Sequence, residues 1–593
     1  MTTSTYVNIW NLDVFFPGGS NSAEFTEFLT STQATIIAFH SEVEKWEPSQ
    51  KSKNEQSLSN IIGGFEQTAK KIRQAGAFVS CLQAQNTEDK HASSLQAKVT
   101  SLSASFQNAL TIFDSKLTQI DDEEWEKLIS FQSLSELSFV LSERRERASE
   151  KLSKEEEALI NSLGVDGYHS WSQLYDLIVS SIKVSYKGES LSVGQASNKF
   201  SQSDREGRKE VFKEWEKAWG EKSDLLSHTL NHLAGFRLNV YKARGWDDFL
   251  KEPLQVNRMK KETLDTMWTV ISENKQPFVK YLERKAKLLN IDKLSWYDLD
   301  APYGNADTKV SYQEGADFIL DNFAAFGEKM AAFGKKAFEE SWIEAEDRPG
   351  KAPGGFHTYF PESAQSRIFM TYSGTPSNVS TLAHELGHGF HTYAMKEQHY
   401  LNRNYAMNVA ETASTFAEMI VSDASVKQAK SKEEKLALLD DKIQRSVALL
   451  MNIHARFLFE TRFYEERKGG PVSTSRLGEL MQEAQKEAYS GALEEYHPLF
   501  WASKLHFFIT GVPFYNFPYT FGFLFSLGIY ARALEEGARY EEKYIALLKD
   551  TASMTVEDLA LKHLQADLTK RDFWEKAVKV CVDDIEEFLV LTE

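Results

Sequence analysis

Only 13 of the 593 residues are proline, and long stretches contain none. Proline inside a helix removes a backbone hydrogen bond and clashes with the preceding turn, so proline-free stretches leave helices free to extend. Residues 23–46 (AEFTEFLTSTQATIIAFHSEVEKW), 56–84 and 92–119 also place apolar side chains three and four positions apart. That is the repeat of a single helix face. The pattern predicts a mostly α-helical protein rather than a sandwich or barrel.

The length suits several domain-sized units and a large buried core. A boundary is predicted near residue 200, where GQASNKFSQSDREGRKEVFKEWEKAW passes from small polar residues into a strong helix. Ser203 and Glu206 have the spacing of a capping box. The expected division is an N-terminal helical domain, 1–200, and a domain, 201–593, that carries every chemical motif. The stretch 143–157 (ERRERASEKLSKEEE) mixes charges of both signs and reads as a solvated helix face.

The formal net charge is −18, from 86 acidic and 68 basic residues. A field of that sign repels phosphate backbones, which excludes nucleic acid as the expected partner. Two cysteines, Cys81 and Cys581, suit a reducing compartment. The amino terminus lacks the basic start and apolar run of a signal peptide, so a cytoplasmic location is expected. Leu505 to Ala531 imitates a membrane span. However, His506, Asn516, Pro513, Pro518 and glycines 511, 522 and 528 would leave polar groups unsatisfied in lipid. A buried wall is predicted instead.

Between 347 and 381 the helical pattern breaks. DRPGKAPGGFHTYF marks loops, SRIFMTYSG (366–374) reads as a short strand, and Ser377–Thr381 supplies a cap for the next helix. That helix carries Thr381-Leu-Ala-His384-Glu385-Leu-Gly-His388-Gly-Phe-His391. Residues four apart project from one helix face, so His384 and His388 can reach a single metal ion. Glu385 lies beside the metal's open position, where it can take a proton from water.

A catalytic zinc takes a third protein ligand, and Asn408-Val-Ala-Glu411-Thr-Ala-Ser-Thr-Phe-Ala-Glu418 offers one. Glu411 follows His388 by 23 residues, enough for a loop and a returning helix. Glu418 lies seven residues further, on the same face, and is expected to hydrogen-bond a ligand imidazole. The plain alternative is two solvated helix glutamates. A metzincin arrangement fails because its third histidine would fall at Ala394, and no GxMEN-type stretch appears upstream.

HELGHGFH, ETASTFAE and HFFITGVPFYNFPYTFG together resemble the thimet oligopeptidase and oligoendopeptidase F family of zinc metallopeptidases, with the oligoendopeptidase F branch nearest. The similarity spans about 200–590, with a looser match before it. It implies a mostly helical, two-lobed fold with a deep channel, a small β-sheet beside the zinc helix, one zinc ion, and cleavage of short unstructured peptides. His384, His388 and Glu411 match the zinc ligands and Glu385 the water-activating base. His506 matches a histidine that stabilises the tetrahedral intermediate. The partner tyrosine is Tyr515 or Tyr519, with Phe517 standing where some relatives have tyrosine. The plain alternative for both tyrosines is core packing in an aromatic stretch.

The strand 366–373, if its edge faces the channel, can pair with a peptide backbone. Gly354 and Gly355 would let substrate approach closely. His357 is a candidate contact to the substrate carbonyl, although a lone loop histidine is more often structural, and packing is the expected role of His391. Three other readings compete with a zinc endopeptidase. One is a peptidyl-dipeptidase on the same scaffold. Another is a non-catalytic peptide-binding protein, and the last a membrane protease resting on 505–531 alone.

Overall fold

The computed structural model describes residues 6–48, 54–303 and 309–593; the extreme amino-terminal residues in the signal-peptide reading lie outside them. The protein is mostly helical. Helices α1 (Ala23–Lys45), α2 (Asn54–Gln85) and α3 (Lys90–Leu117) take up the first proline-free stretches. In α1 the buried residues Phe25, Leu29, Ile36, Phe39 and Val43 form the stripe that the spacing predicts. Burying each large side chain contributes about 1.5–3 kcal/mol. Ser22 opens α1 by accepting from the Phe25 amide, and Asp89 opens α3 by accepting from His91 and Ala92.

The charged stretch 143–157 departs from its sequence reading. It is split between α4 (Ser138–Ser149) and a separate helix, Lys154–Gly164. Its charges are also used within the fold. Glu143 holds Arg258 through two bonds of 2.9 and 2.8 Å and pairs with Arg147 at 2.8 Å, while Arg144 pairs with Asp114 at 2.8 Å. A run of alternating charge looks the same in sequence whether it meets water or other side chains.

A hairpin of β1 (Val184–Tyr186) and β2 (Glu189–Leu191) precedes α5 (Arg205–Gly220). The capping box expected from Ser203 and Glu206 does not form, because the cap position falls on Asp204, which makes no capping bond. Buried Arg208 instead draws in the Gln202 and Ser203 carbonyls and pairs with Asp298 at 2.9 Å. A tertiary ion pair overrides the local signal at this position.

A three-stranded sheet has the order β3 (Ile343–Glu344), β5 (Gln365–Phe369), β4 (Phe356–Phe360). β5 runs parallel to β3 and antiparallel to β4. The strand read from 366–373 is therefore central, with both edges occupied and Ser366 to Phe369 buried. The outer edge belongs to β4. Period-two alternation reports which face is buried but not which neighbour a strand has.

Helix α6 (Pro376–Ala394) carries the HExxH motif. Its cap is Thr375, earlier than expected. Thr375 Oγ1 accepts from the Asn378 amide and Asn378 Oδ1 accepts from the Thr375 amide, each at 3.2 Å, with Pro376 in the first turn. α7 (Thr412–Gln428) packs against α6, and α8 (Lys432–Val447) follows. The aromatic stretch near the carboxy terminus forms α9 (Phe517–Glu536), whose Phe517, Phe521, Leu524 and Phe525 are buried. It is a wall of the core, as expected, and no helix among the described residues is long and apolar enough to cross a membrane. The main hydrophobic core runs from Tyr175 to Phe588, and two smaller cores lie among α1, α2, α3 and their neighbours. Cys81 and Cys581 are buried and unpaired.

Candidate metal centre

The site depends on how closely α6 and α7 approach. A Cβ on Gly387 would lie 2.4 Å from the Ala413 carbonyl oxygen and 2.6 Å from Ser414 Cα. Only glycine allows that approach, and it lets Glu411, at the start of α7, reach the two histidines. The candidate ligand atoms of His384, His388 and Glu411 lie within 4.8 Å of one another. Glu411 Oε2 is 3.3 Å from His384 Nε2 and 3.6 Å from His388 Nε2, and the two rings stand at 85°.

Each ligand candidate is held from behind. His384 Nδ1 meets Glu418 Oε2 at 3.0 Å, which turns Nε2 toward Glu411. Arg445 of α8 pairs with the other Glu418 oxygen. Ser414 Oγ donates to Glu411 Oε2 at 2.8 Å, and the His388 ring donates to the Ala410 carbonyl. Arg445 and Ser414 were not apparent in the sequence. Ser414 stands three residues beyond Glu411, a spacing that could have signalled it, whereas nothing local links Arg445 to Glu418.

Burial opposes ionisation of Glu411, yet the hydrogen bond from His384 and the nearby imidazoles bring its carboxyl down to about 2. Burial lowers His388 to about 4, which keeps its imidazole neutral. At His384 the same burial is outweighed by the hydrogen bonds to Glu411 and Glu418, which raise it to about 9. A metal ion bound at Nε2 would have to displace a proton there. Burial, reinforced by Glu411 and Glu418 and opposed by His384, raises Glu385 to about 7. Glu385 Oε2 is buried without a hydrogen-bond partner in the protein. Two imidazoles, one carboxylate and an unpartnered carboxylate oxygen beside them form a donor set that fits zinc with its attendant water.

These groups line a cavity of about 1180 Å³, together with Gly355, His357, Arg73 and residues of α4. Gly354 does not appear in that lining, and its φ of +87° gives the turn as its reason for being glycine. A Cβ on Gly355 would lie 3.2 Å from Glu385 Oε1, so this glycine makes room for the candidate base. His357 accepts or donates at Ser366 Oγ, 2.9 Å away. His391 is fully buried, stacked on Tyr405 at 4.2 Å and bonded to Thr551, the packing role expected of it.

His506, Tyr515 and Tyr519 come together as three rings, 5.4, 6.2 and 5.8 Å apart. Phe517 is fully buried against Phe457. Burial, a hydrogen bond with Tyr515 and the charge of Glu411 push the Tyr519 phenol well above its ordinary value. Burial, with Arg456 and Lys504 nearby, lowers His506 to about 4.

Comparison with known proteins gives the family and the fold. Residues 200–580 match peptidase family M3, and 116–183 match the family described as Oligopeptidase F. An oligoendopeptidase F homologue of Lactococcus lactis is 24% identical over 97% of this chain and 99% of its own. Oligopeptidase PepF of Bacillus subtilis is 26% identical over 81% of this chain and 72% of its own. Among solved structures, a putative peptidase from Chlamydophila abortus superposes with a TM-score of 0.83 at 19% identity, covering 98% of both chains. Oligoendopeptidase-F from Enterococcus faecium gives 0.69 at 18%, covering 95% of this chain and 99% of that one. At those identities the structures speak for the fold.

Fold, motif and family together define the class as an oligopeptide-hydrolysing metallopeptidase. Within that class, the chain belongs to peptidase family M3.

Proposed function

We propose that the protein is a zinc-dependent endopeptidase of short unstructured oligopeptides, with His384, His388 and Glu411 as metal ligands and Glu385 as general base. The observation that carries the reading is the unpartnered Glu385 Oε2 beside three converging ligand atoms on a large cavity. When bound, zinc supplies a Lewis acid and lowers the pKa of a water molecule to about 7.

The remaining work falls to the chain's own groups. Glu385 takes a proton from the attacking water and delivers it to the leaving amine. A carboxyl raised to about 7 can do both near neutral pH. Of the two tyrosines the donor role is assigned to Tyr519, whose phenol burial and the hydrogen bond with Tyr515 keep protonated. It donates to the carbonyl oxygen as charge develops there, with Tyr515 and His506 holding it. Glu418 fixes the tautomer of His384. The outer edge of β4 takes up the peptide backbone, with Gly355 and His357 along the substrate's path and Gly354 shaping the turn before them. In this reading 1–200 forms a helical domain beside the catalytic domain 201–593, and the two buried, unpaired cysteines support action in the cytoplasm.

Mass-spectrometric mapping of the products from a peptide blocked at both ends tests the endopeptidase reading. Internal cuts are expected. Cleavage that needs a free carboxy terminus, always two residues from it, would make the protein a peptidyl-dipeptidase instead.

A further inference from the structure

The cavity wall facing the metal group is far more basic than the molecule. Outside the metal group its charged lining consists of Arg73, Arg144, Arg147, Lys151, Arg258 and Arg403 against two carboxylates, Asp114 and Glu143. Both carboxylates are already engaged, Asp114 by Arg144 and Glu143 by Arg147 and Arg258. Among the described residues, no carboxylate lies within ion-pair distance of Arg73, Lys151 or Arg403. Arg73 donates one bond, to Thr358 Oγ1 of β4 at 3.2 Å, and so stands beside the strand whose outer edge pairs with no other strand among the described residues. Arg403 spends its donors on the Gln398 and Lys396 carbonyls. This excess of positive charge lines a cleft in a chain of formal charge −18, with Arg73 and Lys151 exposed to solvent there.

A basic cleft in an acidic protein focuses its field inward, because low-dielectric walls guide it and the outer surface repels anions. Among the described residues the ion pairs within the wall leave Arg73 and Arg403 without a carboxylate, and Lys151 acts only at longer range on Asp114 and Glu157. Taking the peptidase reading as its basis, we propose that this wall selects peptides bearing a carboxylate, with Arg73 and Lys151 as the residues that set the preference. The carboxylate is an acidic side chain or a free carboxy terminus, which share one chemistry. One unit charge about 8 Å away across a half-wet cleft shifts an equilibrium about fivefold. The preference should shrink in salt, since the screening length falls from about 8 Å at 0.15 M to about 3 Å at 1 M.

The test uses quenched peptides of one length. One is neutral and blocked at both ends, one carries an internal glutamate, one a free carboxy terminus and one a lysine. Hydrolysis is read as kcat/KM, and binding by anisotropy of the same sequences carrying a single label. The carboxylate-bearing peptides should exceed the neutral one about fivefold at low salt, the lysine peptide should fall below it, and 1 M salt should erase the difference. Arg73→Gln and Lys151→Gln should each reduce the carboxylate-to-neutral ratio about twofold, and together bring it close to one. Lys579→Gln, an equal change of charge on the exposed surface, should leave it alone. The glutamate and free-terminus arms show which source of carboxylate is read.

Equal handling of charged and neutral peptides, or a ratio untouched by Arg73→Gln and Lys151→Gln, overturns the proposal. If no peptide is cut, the peptidase reading fails, and the anisotropy series still decides the charge preference.

Discussion

Replacing Gly387 with alanine tests whether the approach of α6 to α7 builds the metal site. The added Cβ would lie 2.4 Å from the Ala413 carbonyl oxygen and 2.6 Å from Ser414 Cα, where ordinary contacts begin near 3.4 Å. Both neighbours are backbone and cannot rotate away, so the helices must part by about 1 Å. Overpacking of this kind costs about 1–3 kcal/mol, and the gain in helix propensity returns about 1 kcal/mol. The net loss should be about 1 kcal/mol. Glu411 travels with α7, and a shift of that size exceeds the roughly 0.2 Å tolerance of metal–ligand distances, so zinc affinity should fall about tenfold or more. Urea unfolding and competition with a chromogenic chelator measure the two effects. Gly63→Ala is the control, because nothing lies within 4 Å of its Cβ in the interior of α2, and it should be neutral or stabilising. A Gly387→Ala protein with wild-type stability and zinc affinity would refute the reasoning.

Glu418→Ala removes the group that orients His384 and leaves Arg445 without its carboxylate, so zinc affinity should drop about 10–100-fold in chelator competition. Tyr519→Phe should lower kcat about 100–1000-fold with zinc content unchanged. A near-normal rate would move the oxyanion role to Tyr515 or His506. Glu460 is fully buried, and burial, partly opposed by Arg237, raises its carboxyl from 4.5 to about 8. The folded chain then keeps a proton that the unfolded chain releases, so stability falls as pH rises through that window. Glu460→Gln should abolish this part of the decline, seen as a stability difference from wild type that widens from pH 4.5 to 8.

Much of this was legible because helices announce themselves locally. The stripe through Phe25, Leu29, Ile36, Phe39 and Val43 gave α1 to within a residue. The four-residue step from His384 to His388 and the seven-residue step from Glu411 to Glu418 placed each pair on one face. What escaped depends on neighbours distant in sequence. Asp204 displaced Ser203 as a cap because Arg208 reaches Asp298. β5 proved central because β3 and β4 flank it. Arg445 joins Glu418 from another helix. The charges of 143–157 were visible, but only packing turns Glu143, Arg144 and Arg147 toward the cavity and away from bulk water.

Hydrolysis of an end-blocked quenched peptide by wild-type protein and Glu385→Gln, with zinc measured on the same samples, tests the central claim most directly. About one zinc per chain is expected in both proteins, with chelator-sensitive turnover in the wild type and almost none in the variant. Turnover that survives in Glu385→Gln, or in the wild type stripped of zinc, would contradict the account.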